Sequence, residues 1–289
     1  MRISVITPTY NRAYVLGQCY KSLCAQTDSN FEWIVVDDGS TDDTETLVQS
    51  FVSEGRIPIR YIRQENGGKH RAHNTAVQYA SGELVVCLDS DDTLTENAVE
   101  VARALWKQQS APDITGILAL RGDPEHRRPI CAALPDSVPA ATMFDLNNYY
   151  GFHGDTVLFF RTELLRRISF ATFAGEKFIP ETNLYIDIDR HGKMLLLDQV
   201  LYLCEYLPDG LTAKFHRLLK ENPNGTADTY YKCMSMAADL KTKLKYAVLT
   251  NIYRSLSKNK CELQFKNGLL LLTALPAVLI RRRFLSRFE

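Results

Sequence analysis

Short apolar runs alternate with amphipathic stretches through the first 120 residues. The runs predict strands at Ile3–Thr7, Trp33–Asp37, Ile57–Ile62, Leu84–Leu88 and Ile114–Leu120. Apolar residues at helical spacing predict helices between them, at about 12–26, 41–53, 70–80 and 95–108. Ser40 and Thr95 are the expected capping residues of two of these helices. Strand–helix alternation with short loops is typical of an α/β doubly wound, mostly parallel sheet.

Polar residues concentrate in the loops that follow the first four predicted strands. In chain order these loops contain the sequences TPTYNR, DDGSTDDT, NGGKH and DSDD. In open parallel sheets, ligands bind outside the carboxyl ends of the strands. The sequence therefore predicts one ligand site, built from four loops at one edge of the sheet.

The pattern changes after residue 120. A loop-like segment precedes an apolar strand at 156–160 and a helix start at Pro180-Glu181, and from about residue 228 the chain is helical and basic. Residues 1–210 carry 19 Lys and Arg against 29 Asp and Glu, whereas residues 211–289 carry 15 against 5. This asymmetry predicts an acidic body at 1–210 and a basic helical extension at 211–289 with a partner of its own.

Cysteine usage and hydropathy favour a cytoplasmic protein. The seven cysteines lack the spacing of a zinc or disulfide framework. The first residues, MRISVITPTYN, lack a charged and then apolar leader, and the longest apolar run is shorter than the roughly 18 residues of a membrane span. No nucleic-acid partner is predicted, and self-association stays open.

The segment VVCLDSDDTL at 85–94 leads from an apolar strand directly into three carboxylates. These acids repel one another unless a positive group lies between them. Asp89 and Asp91 are two residues apart, so on an extended segment their side chains project to the same side. Paired carboxylates suit Mg²⁺ or Mn²⁺, ions that also bind substrate phosphates. We expect a metal site at Asp89 and Asp91, with Asp92 as a solvated cap of the next helix.

The same ten residues also match the DxDxT signature of haloacid-dehalogenase-like phosphatases. In that alternative Asp89 is the nucleophile and Asp91 the acid/base. Those enzymes carry the motif on the first strand of the core sheet, whereas three predicted strands precede it here. No GDxxxD motif follows, because Gly122-Asp123 and Gly154-Asp155 lack the second Asp.

Four motifs in order, VITPTYNR, WIVVDDGSTDDT, NGGKHRAHNTAV and LDSDD, give residues 1–210 a resemblance to the family-2 nucleotide-sugar glycosyltransferases. The resemblance implies a GT-A fold, with the nucleotide-sugar half at about 1–120 and the acceptor half at about 121–210. It also implies an inverting transferase that uses a nucleoside-diphosphate sugar, usually UDP-linked, and a divalent metal. The expected acceptor is a glycan or a lipid-linked molecule in surface polysaccharide synthesis.

The resemblance assigns roles to residues in the first two loops. Pro8, Tyr10 and Asn11 would line the nucleotide pocket, with Tyr10 against the base. Asp38 would accept a hydrogen bond from the uracil imide.

In the third and fourth loops, the resemblance points to the sugar and the metal. Lys69, after two glycines, would meet the diphosphate. Asp89 would lie near the ribose, Asp91 would bind the metal, and Ser90 between them is counted with the nucleotide-sugar residues.

An inverting transfer needs a general base that takes the proton of the acceptor hydroxyl. The segment IPETNLYIDIDRHG fits the family's ED…LWLR pattern when Gly192 is aligned with the glycine that ends the helix. Glu181 then occupies the base position, where a helix N-terminus favours the ionised carboxylate. Asp155 in the sequence HGD is the second candidate, and Asp187 stands where the family has Arg.

The competing class of function is a catalytically silent protein that binds nucleotide or acts as a scaffold. Such a protein has no reason to keep Asp38, Asp89, Asp91 and Glu181 together, so we favour the enzyme.

The C-terminal segment GLLLLTALPAVLIRRRFLSRFE, from Gly268, leaves two alternatives open. Its apolar stretch, followed by Arg281–Arg283 and Arg287, suits a peripheral site on the anionic inner face of a membrane. The other alternative is a core helix, packed on the catalytic domain or on a dimer partner, with solvated arginines.

Overall fold

The computed structural model describes residues 1–204, 210–257 and 267–286. Contacts group these residues into two compact units. Unit 1 contains Met1–Ser169 and the described part of Ile188–Glu205, and unit 2 contains Phe170–Asp187 and the described part of Tyr206–Glu289. The domain limits predicted at 120 and 210 stay predictions.

Unit 1 is built on a mixed, mostly parallel sheet with helices in the connections. The strands are β1 (Ile3–Thr9), β2 (Phe31–Asp37), β3 (Ile59–Arg63), β4 (Leu84–Cys87), β5 (Thr93–Leu94), β6 (Ile114–Gly122), β7 (Ala140–Ala141), β8 (Thr156–Arg161) and β9 (Lys193–Leu203). The helices are α1 (Leu16–Cys24), α2 (Thr44–Glu54), α3 (Lys69–Tyr79), α4 (Ala98–Gln109), α5 (Met143–Asn148) and α6 (Thr162–Arg167). The α/β fold class predicted from the sequence is confirmed.

The central strands are buried on both sides, as expected for strands whose two faces are covered by helices. β1 is buried along its whole length. Trp33 of β2 is fully buried, and Tyr20 and Phe51, from the helices that flank it, stack with ring centroids 4.0 Å apart. The core therefore lies between the sheet and its helices, and only the loops at the strand ends remain for a site.

The parallel order predicted from strand–helix alternation ends at β4. The sheet runs β3-β2-β1-β4-β8-β6-β9-β5, with β7 paired to β9. β8 lies between β4 and β6 and is antiparallel to both, so the sheet is mostly but not entirely parallel, as predicted. β9 was not predicted, although it pairs in parallel with β6. Its far end carries side chains to the loop after β4.

The two predicted caps are wrong, because the helices begin later than the sequence pattern suggested. α2 begins at Thr44 and α4 at Ala98. The hydroxyl of Ser40 instead accepts a hydrogen bond from the amide of Asn11 (2.9 Å), and the hydroxyl of Thr95 lies 3.1 Å from Oδ1 of Asn97. Ser40 thus connects two loops, whereas this contact of Thr95 stays within the loop that precedes α4.

The chain after residue 169 is mostly helical, as predicted for its C-terminal part. The helices are α7 (Thr182–Asp189), α8 (Phe215–Glu221), α9 (Pro223–Met236), α10 (Leu240–Arg254) and α11 (Gly268–Leu285), with a 3₁₀ turn at Thr212–Lys214. In unit 2 a small core joins α8 to α11 through Leu219, Ala227, Ile252, Tyr253 and Ala277. At the N-terminus of α9, the buried carboxylate of Glu176 accepts hydrogen bonds from the amides of Asn224 (2.7 Å) and Gly225 (2.8 Å).

Candidate active site

The loops after β1 and β2 are tied together at the edge of the sheet. The amide of Asp38 donates to the carbonyl of Thr9 (2.8 Å). Asn11 adopts a left-handed φ of 52°, a region in which Asn is enriched, and its Oδ1 accepts a hydrogen bond from the amide of Thr41 (2.8 Å). Asn11 therefore holds the two loops together, in addition to the pocket role that stays a prediction.

Pro8 and Tyr10 lie on either side of this junction and differ in exposure. Pro8 is buried in β1, in register with Val36 of β2. Tyr10 is 47% exposed. An exposed ring beside a loop that is fixed by backbone hydrogen bonds offers a flat surface for a planar base.

The buried carboxylate of Asp38 organises the third polar loop. Oδ1 accepts from Nε2 of Gln64 (2.7 Å) and from the amide of Gly67 (2.9 Å). Oδ2 accepts from the amide of Gly68 (2.7 Å) and from Nδ2 of Asn66 (3.2 Å). A carboxylate has about four lone-pair positions, and these four donors fill them. Asp38 thus fixes the loop that leads into α3, and its expected contact with uracil stays a prediction.

Lys69 brings the third loop to the fourth. It is the first residue of α3, and its Nζ lies 2.7 Å from Oδ1 of Asp89. Both side chains are largely covered by protein. The four polar loops predicted from the sequence therefore meet at one edge of unit 1.

Asp89, Asp91 and Asp92 lie in a tight turn, because the amide of Asp92 donates to the carbonyl of Asp89 (3.1 Å). The extended geometry assumed from the sequence is wrong. The turn nevertheless keeps the carboxylates within electrostatic reach of one another. Burial first, and the negative charge of Asp89 second, raise the pKa of Asp91 above its ordinary value and the pKa of Asp92 to about 7. Ser90 is buried within this turn.

The donor set of this turn suits a hard divalent cation. Bringing a cation to Asp89 and Asp91 relieves the repulsion that raises the pKa of Asp91. Within the described ranges there is no group of three or more His, Cys, Asp or Glu side chains that could hold a metal. Mg²⁺ is usually held by one or two carboxylates, with water and substrate phosphates as its other ligands, and Mn²⁺ takes similar oxygen ligands. Two carboxylates fit that arrangement.

Asp92 is not the solvated helix cap expected from the sequence. It is buried, and the hydroxyl of Tyr202 donates to its Oδ2 (2.7 Å). The same hydroxyl oxygen accepts from the amide of Asp89 (3.0 Å). Arg121 stacks over the Tyr202 ring, 4.2 Å from its centroid, and its Nη1 lies 3.9 Å from Oδ2 of Asp92. This network fastens the acidic turn to β6 and β9.

Sequence reasoning missed Tyr202 and Arg121. Tyr202 lies 113 positions beyond Asp89, on a strand that was not predicted. Arg121 follows the fifth predicted strand, but nothing in the local pattern distinguishes it from a solvated arginine. The signal in the sequence was the acidic segment 89–92, because carboxylates so close together repel one another unless positive partners lie near them.

Asp155, the second base candidate, lies in unit 1 at the end of the sheet that carries the acidic turn. Burial is the largest cause that raises the pKa of the Cys204 thiol to about 11, followed by the charge of Asp92 and, more weakly, that of Asp155. Both acids therefore lie near the same thiol. The preceding Gly154 has a φ of 122°, and a Cβ there would lie 2.5 Å from Cys131.

Glu181, the first base candidate, lies in unit 2. It follows Pro180 and directly precedes α7, which is the predicted position at a helix N-terminus. Its side chain is exposed, and the hydroxyl of Tyr185 donates to its Oε2 (3.0 Å). Its role as a base stays a prediction.

A partly buried polar network fastens α7 to α9 within unit 2. The side chain of Asn183 donates to Oδ2 of Asp228 (2.8 Å) and accepts from Nζ of Lys232 (3.0 Å). The same Nζ lies 2.5 Å from Oδ2 of Asp187. Lys232 thus neutralises the acid that stands where the family pattern has Arg. Because removing one partner would leave partly buried charges unpaired, the network holds the helix that follows Glu181.

Comparison with known proteins connects this geometry to a family. The family model described as Glycosyl transferase family 2 matches residues 4–166, more than half of the chain. Glycosyltransferase GlyG of Streptococcus pneumoniae is 36% identical over 115 residues, covering 39% of this chain and 38% of GlyG. Poly(ribitol-phosphate) beta-N-acetylglucosaminyltransferase TarS of Staphylococcus aureus is 34% identical over 106 residues, covering 36% of this chain and 18% of TarS. The matched part spans well under half the length of either relative.

Solved structures share the fold over nearly the whole chain. S. aureus TarS 1–349 in complex with UDP-GlcNAc has a TM-score of 0.61 at 19% identity, covering 99% of this chain and 91% of that chain. Mannosyltransferase PcManGT from Pyrobaculum calidifontis, in complex with GDP-Man and Mn²⁺, has a TM-score of 0.59 at 18% identity, covering 99% and 83%. These likenesses confirm the GT-A-type fold.

The match also decides between the two interpretations of the acidic motif. It includes all four polar loops, and Asp89 follows β4 instead of the first strand of the sheet. The phosphatase alternative is therefore wrong. The chain belongs to glycosyl transferase family 2.

Proposed function

We propose that this protein is an inverting, metal-dependent glycosyltransferase. It moves a sugar from a UDP-sugar to a glycan or lipid-linked acceptor in surface polysaccharide synthesis. The observation that carries the proposal is the meeting of four polar loops around Asp89 and Asp91, within the segment that matches the family.

The donor is proposed from two kinds of support. S. aureus TarS, a structural relative, has been solved with UDP and with UDP-GlcNAc. In this chain the exposed ring of Tyr10 lies beside a loop junction held by Asn11, where a uracil base would stack against it. Pro8 and Asp38 would shape the floor and the wall of that pocket. The name of TarS, a poly(ribitol-phosphate) transferase, supports a surface polysaccharide as the product.

The diphosphate end of the donor is assigned to the acidic turn. Asp91, together with Asp89, would hold Mg²⁺ or Mn²⁺, which supplies charge neutralisation to the leaving diphosphate. Lys69 would turn from Asp89 to the phosphates when the donor binds, because a diphosphate offers it more negative charge than one carboxylate. Asp89 would also lie near the ribose, and Ser90 beside it would contact the nucleotide sugar.

Glu181 is proposed to take the proton of the attacking acceptor hydroxyl. Its carboxylate is exposed and lies at a helix N-terminus, where the ionised form is favoured. Inversion follows when the hydroxyl attacks the anomeric carbon from the side opposite the departing diphosphate. Asp155 is the second candidate for this proton transfer.

The proposal is tested by thermal unfolding with UDP, UDP-GlcNAc and GDP-mannose, each with Mn²⁺ and with EDTA. We expect uridine ligands to raise the melting temperature strongly only with Mn²⁺, since a ligand that binds the native state stabilises it by mass action. Asp91→Asn should remove the metal-dependent part of this stabilisation. Asp113→Asn, a change of an exposed acid elsewhere in unit 1, is the matched control.

Two outcomes would contradict the assignment. Equal stabilisation by UDP in EDTA would remove the metal from the mechanism. Stabilisation by GDP-mannose in place of the uridine ligands would change the donor class and leave the metal site standing.

A further inference from the structure

Helix α11 leaves a broad apolar surface uncovered. Five apolar side chains along its outer side are between 61% and 82% exposed: Leu271, Leu272, Leu275, Val278 and Leu279. Scattered exposed leucines are common on protein surfaces, but a contiguous apolar patch marks a surface that binds something. We call these five side chains the outer face of α11.

The opposite side of α11 is already occupied. Leu270, Thr273 and Ala277, which are spaced for one helix face, are buried. Nδ2 of Asn251 in α10 donates to the carbonyl of Leu270 (2.8 Å) and to the hydroxyl of Thr273 (3.0 Å). The helix is therefore held on unit 2 by one face, and lipid or protein could reach only the other.

Positive charge lies at the end of the outer face. Leu271, Leu275, Val278 and Arg282 follow the i, i+4, i+7, i+11 spacing of one helical stripe. Arg282 and its neighbour Arg283 are both exposed. By contrast, Nη1 of Arg281 donates to the hydroxyl of Ser255 (3.0 Å) and takes part in holding the helix. The apolar stripe thus ends in exposed positive side chains in the last turn.

The surrounding sequence is also strongly basic. Between residues 240 and 288 it carries eleven Lys and Arg and a single acid, Glu262. Lys241 and Lys245 are exposed on α10. Arg287 and Phe288, which belonged to the predicted membrane segment, lie outside the described residues.

We infer that the outer face of α11 docks on an anionic lipid surface. The boundary between acyl chains and headgroups offers apolar contact and negative charge within a few ångströms of each other, which matches a leucine stripe that ends in arginines. A second copy of this chain would bring the same positive charges to the interface, which is unfavourable.

The helix would lie along the surface and not cross it. Residues 269–280, twelve positions that are apolar except for Thr273, extend about 18 Å at 1.5 Å per residue, against a hydrocarbon core of about 30 Å. None of the helices in the described part of the chain is long and apolar enough for a membrane span. This docking does not depend on which sugar is transferred.

The test is co-sedimentation of the full chain with vesicles of phosphatidylglycerol and phosphatidylcholine, and with vesicles of phosphatidylcholine alone. We expect binding to the anionic vesicles that weakens as salt rises from about 0.1 M to about 1 M, where the screening length falls from about 10 Å to about 3 Å. Leu271→Gln with Leu275→Gln should lower the partition coefficient at least about tenfold, because both leucines would lose their place among the acyl chains.

Arg282→Gln with Arg283→Gln should lower the partition coefficient roughly thirtyfold, since each basic residue near an anionic leaflet contributes about 1 kcal/mol, a factor of about five. Two double variants at exposed positions are matched controls that should bind like the parent: Val52→Gln with Leu211→Gln, and Arg56→Gln with Lys107→Gln.

Four results would overturn the inference. The first is a full chain that stays in the supernatant with both vesicles. The second is equal binding to neutral and anionic vesicles. The third is a dimer in sedimentation equilibrium that dissociates with Leu271→Gln and Leu275→Gln, and the fourth is unfolding of that variant, measured by circular dichroism. Either of the last two would show that protein covers the outer face.

Discussion

Asp38 and Asp92 of unit 1 are held in the opposite way to Glu181 of unit 2. In unit 1, Asp38 is buried with its oxygens filled by four donors, and Asp92 is buried against Tyr202. In unit 2, the carboxylate of Glu181 is exposed, and the rigid part is the network around Lys232 that holds the following helix. The difference separates two tasks. Acids that shape a binding loop use up their bonding capacity, whereas an acid proposed to accept a proton keeps its oxygens accessible.

The largest effect is expected for Glu181→Gln, which tests the proposed role of this carboxylate as the base. We expect turnover to fall by about 10²–10⁴-fold while the affinity for the UDP-sugar stays near that of the parent, because a base acts mainly in the transition state. Steady-state kinetics and calorimetric titration of the donor measure the two quantities separately. Glu221→Gln, a change of an exposed acid in the same unit, is the control.

The same measurements on Asp155→Asn test the second base candidate. If Glu181→Gln keeps activity and Asp155→Asn loses it, the base lies in unit 1 and the contrast between the units must be redrawn. If the parent protein binds the UDP-sugar but shows no turnover, and neither change alters this, then the catalytically silent scaffold is the better description.

The second prediction concerns the filled carboxylate of Asp38. Asp38→Asn replaces one accepting oxygen with an NH₂ group that faces donors such as the amide of Gly68. We expect the free energy of unfolding to fall by about 2–4 kcal/mol, because hydrogen bonds to charged groups are lost and donors are left unpaired. UDP affinity should fall at least about tenfold as the third loop loosens. Denaturant unfolding and calorimetric titration measure the two effects.

The control for this change is Asp43→Asn, which alters an exposed acid at the start of α2 that makes no side-chain cap. A stable Asp38→Asn variant with weakened UDP binding would be the opposite result. It would mean that the carboxylate contacts the base directly, as the resemblance implied, and does little for the loop.

The third prediction concerns Asp189, a buried acid of unit 1 that accepts hydrogen bonds from the amides of Met143 (3.1 Å) and Phe144 (2.8 Å). Burial raises the pKa of Asp189 from 3.8 to about 7. Because the folded pKa exceeds the unfolded one, its contribution to stability is complete below about pH 4 and is lost as the pH rises toward 7. The change amounts to at most about 1.4 kcal/mol per unit of pKa difference.

Asp189→Asn should therefore flatten the decline in the free energy of unfolding between about pH 4 and 7. Denaturant unfolding at a series of pH values measures the slope, with the exposed Asp136→Asn as the control. An unchanged slope would show that the two amides keep the carboxylate ionised despite its burial.

The sequence by itself determined the α/β class, the family and the edge of the sheet where the polar loops meet. These follow from local patterns: apolar runs that form buried strands, and polar motifs placed directly after them. The helix position of Glu181 was also local, since a proline followed by an acid is a common helix start.

Only the tertiary structure decided how the acidic turn is held. Tyr202 and Arg121 reach it from distant strands, one of them unpredicted, and β8 enters the sheet between β4 and β6 in the antiparallel sense. Which strands become neighbours depends on the apolar surfaces that the whole chain can bury. The local periodicity of the sequence does not determine this pairing. The same holds for α11, whose residues 269–280 are apolar apart from Thr273, so that the sequence does not mark one face. Its packing on α10 selects the face that is buried and the face that remains exposed.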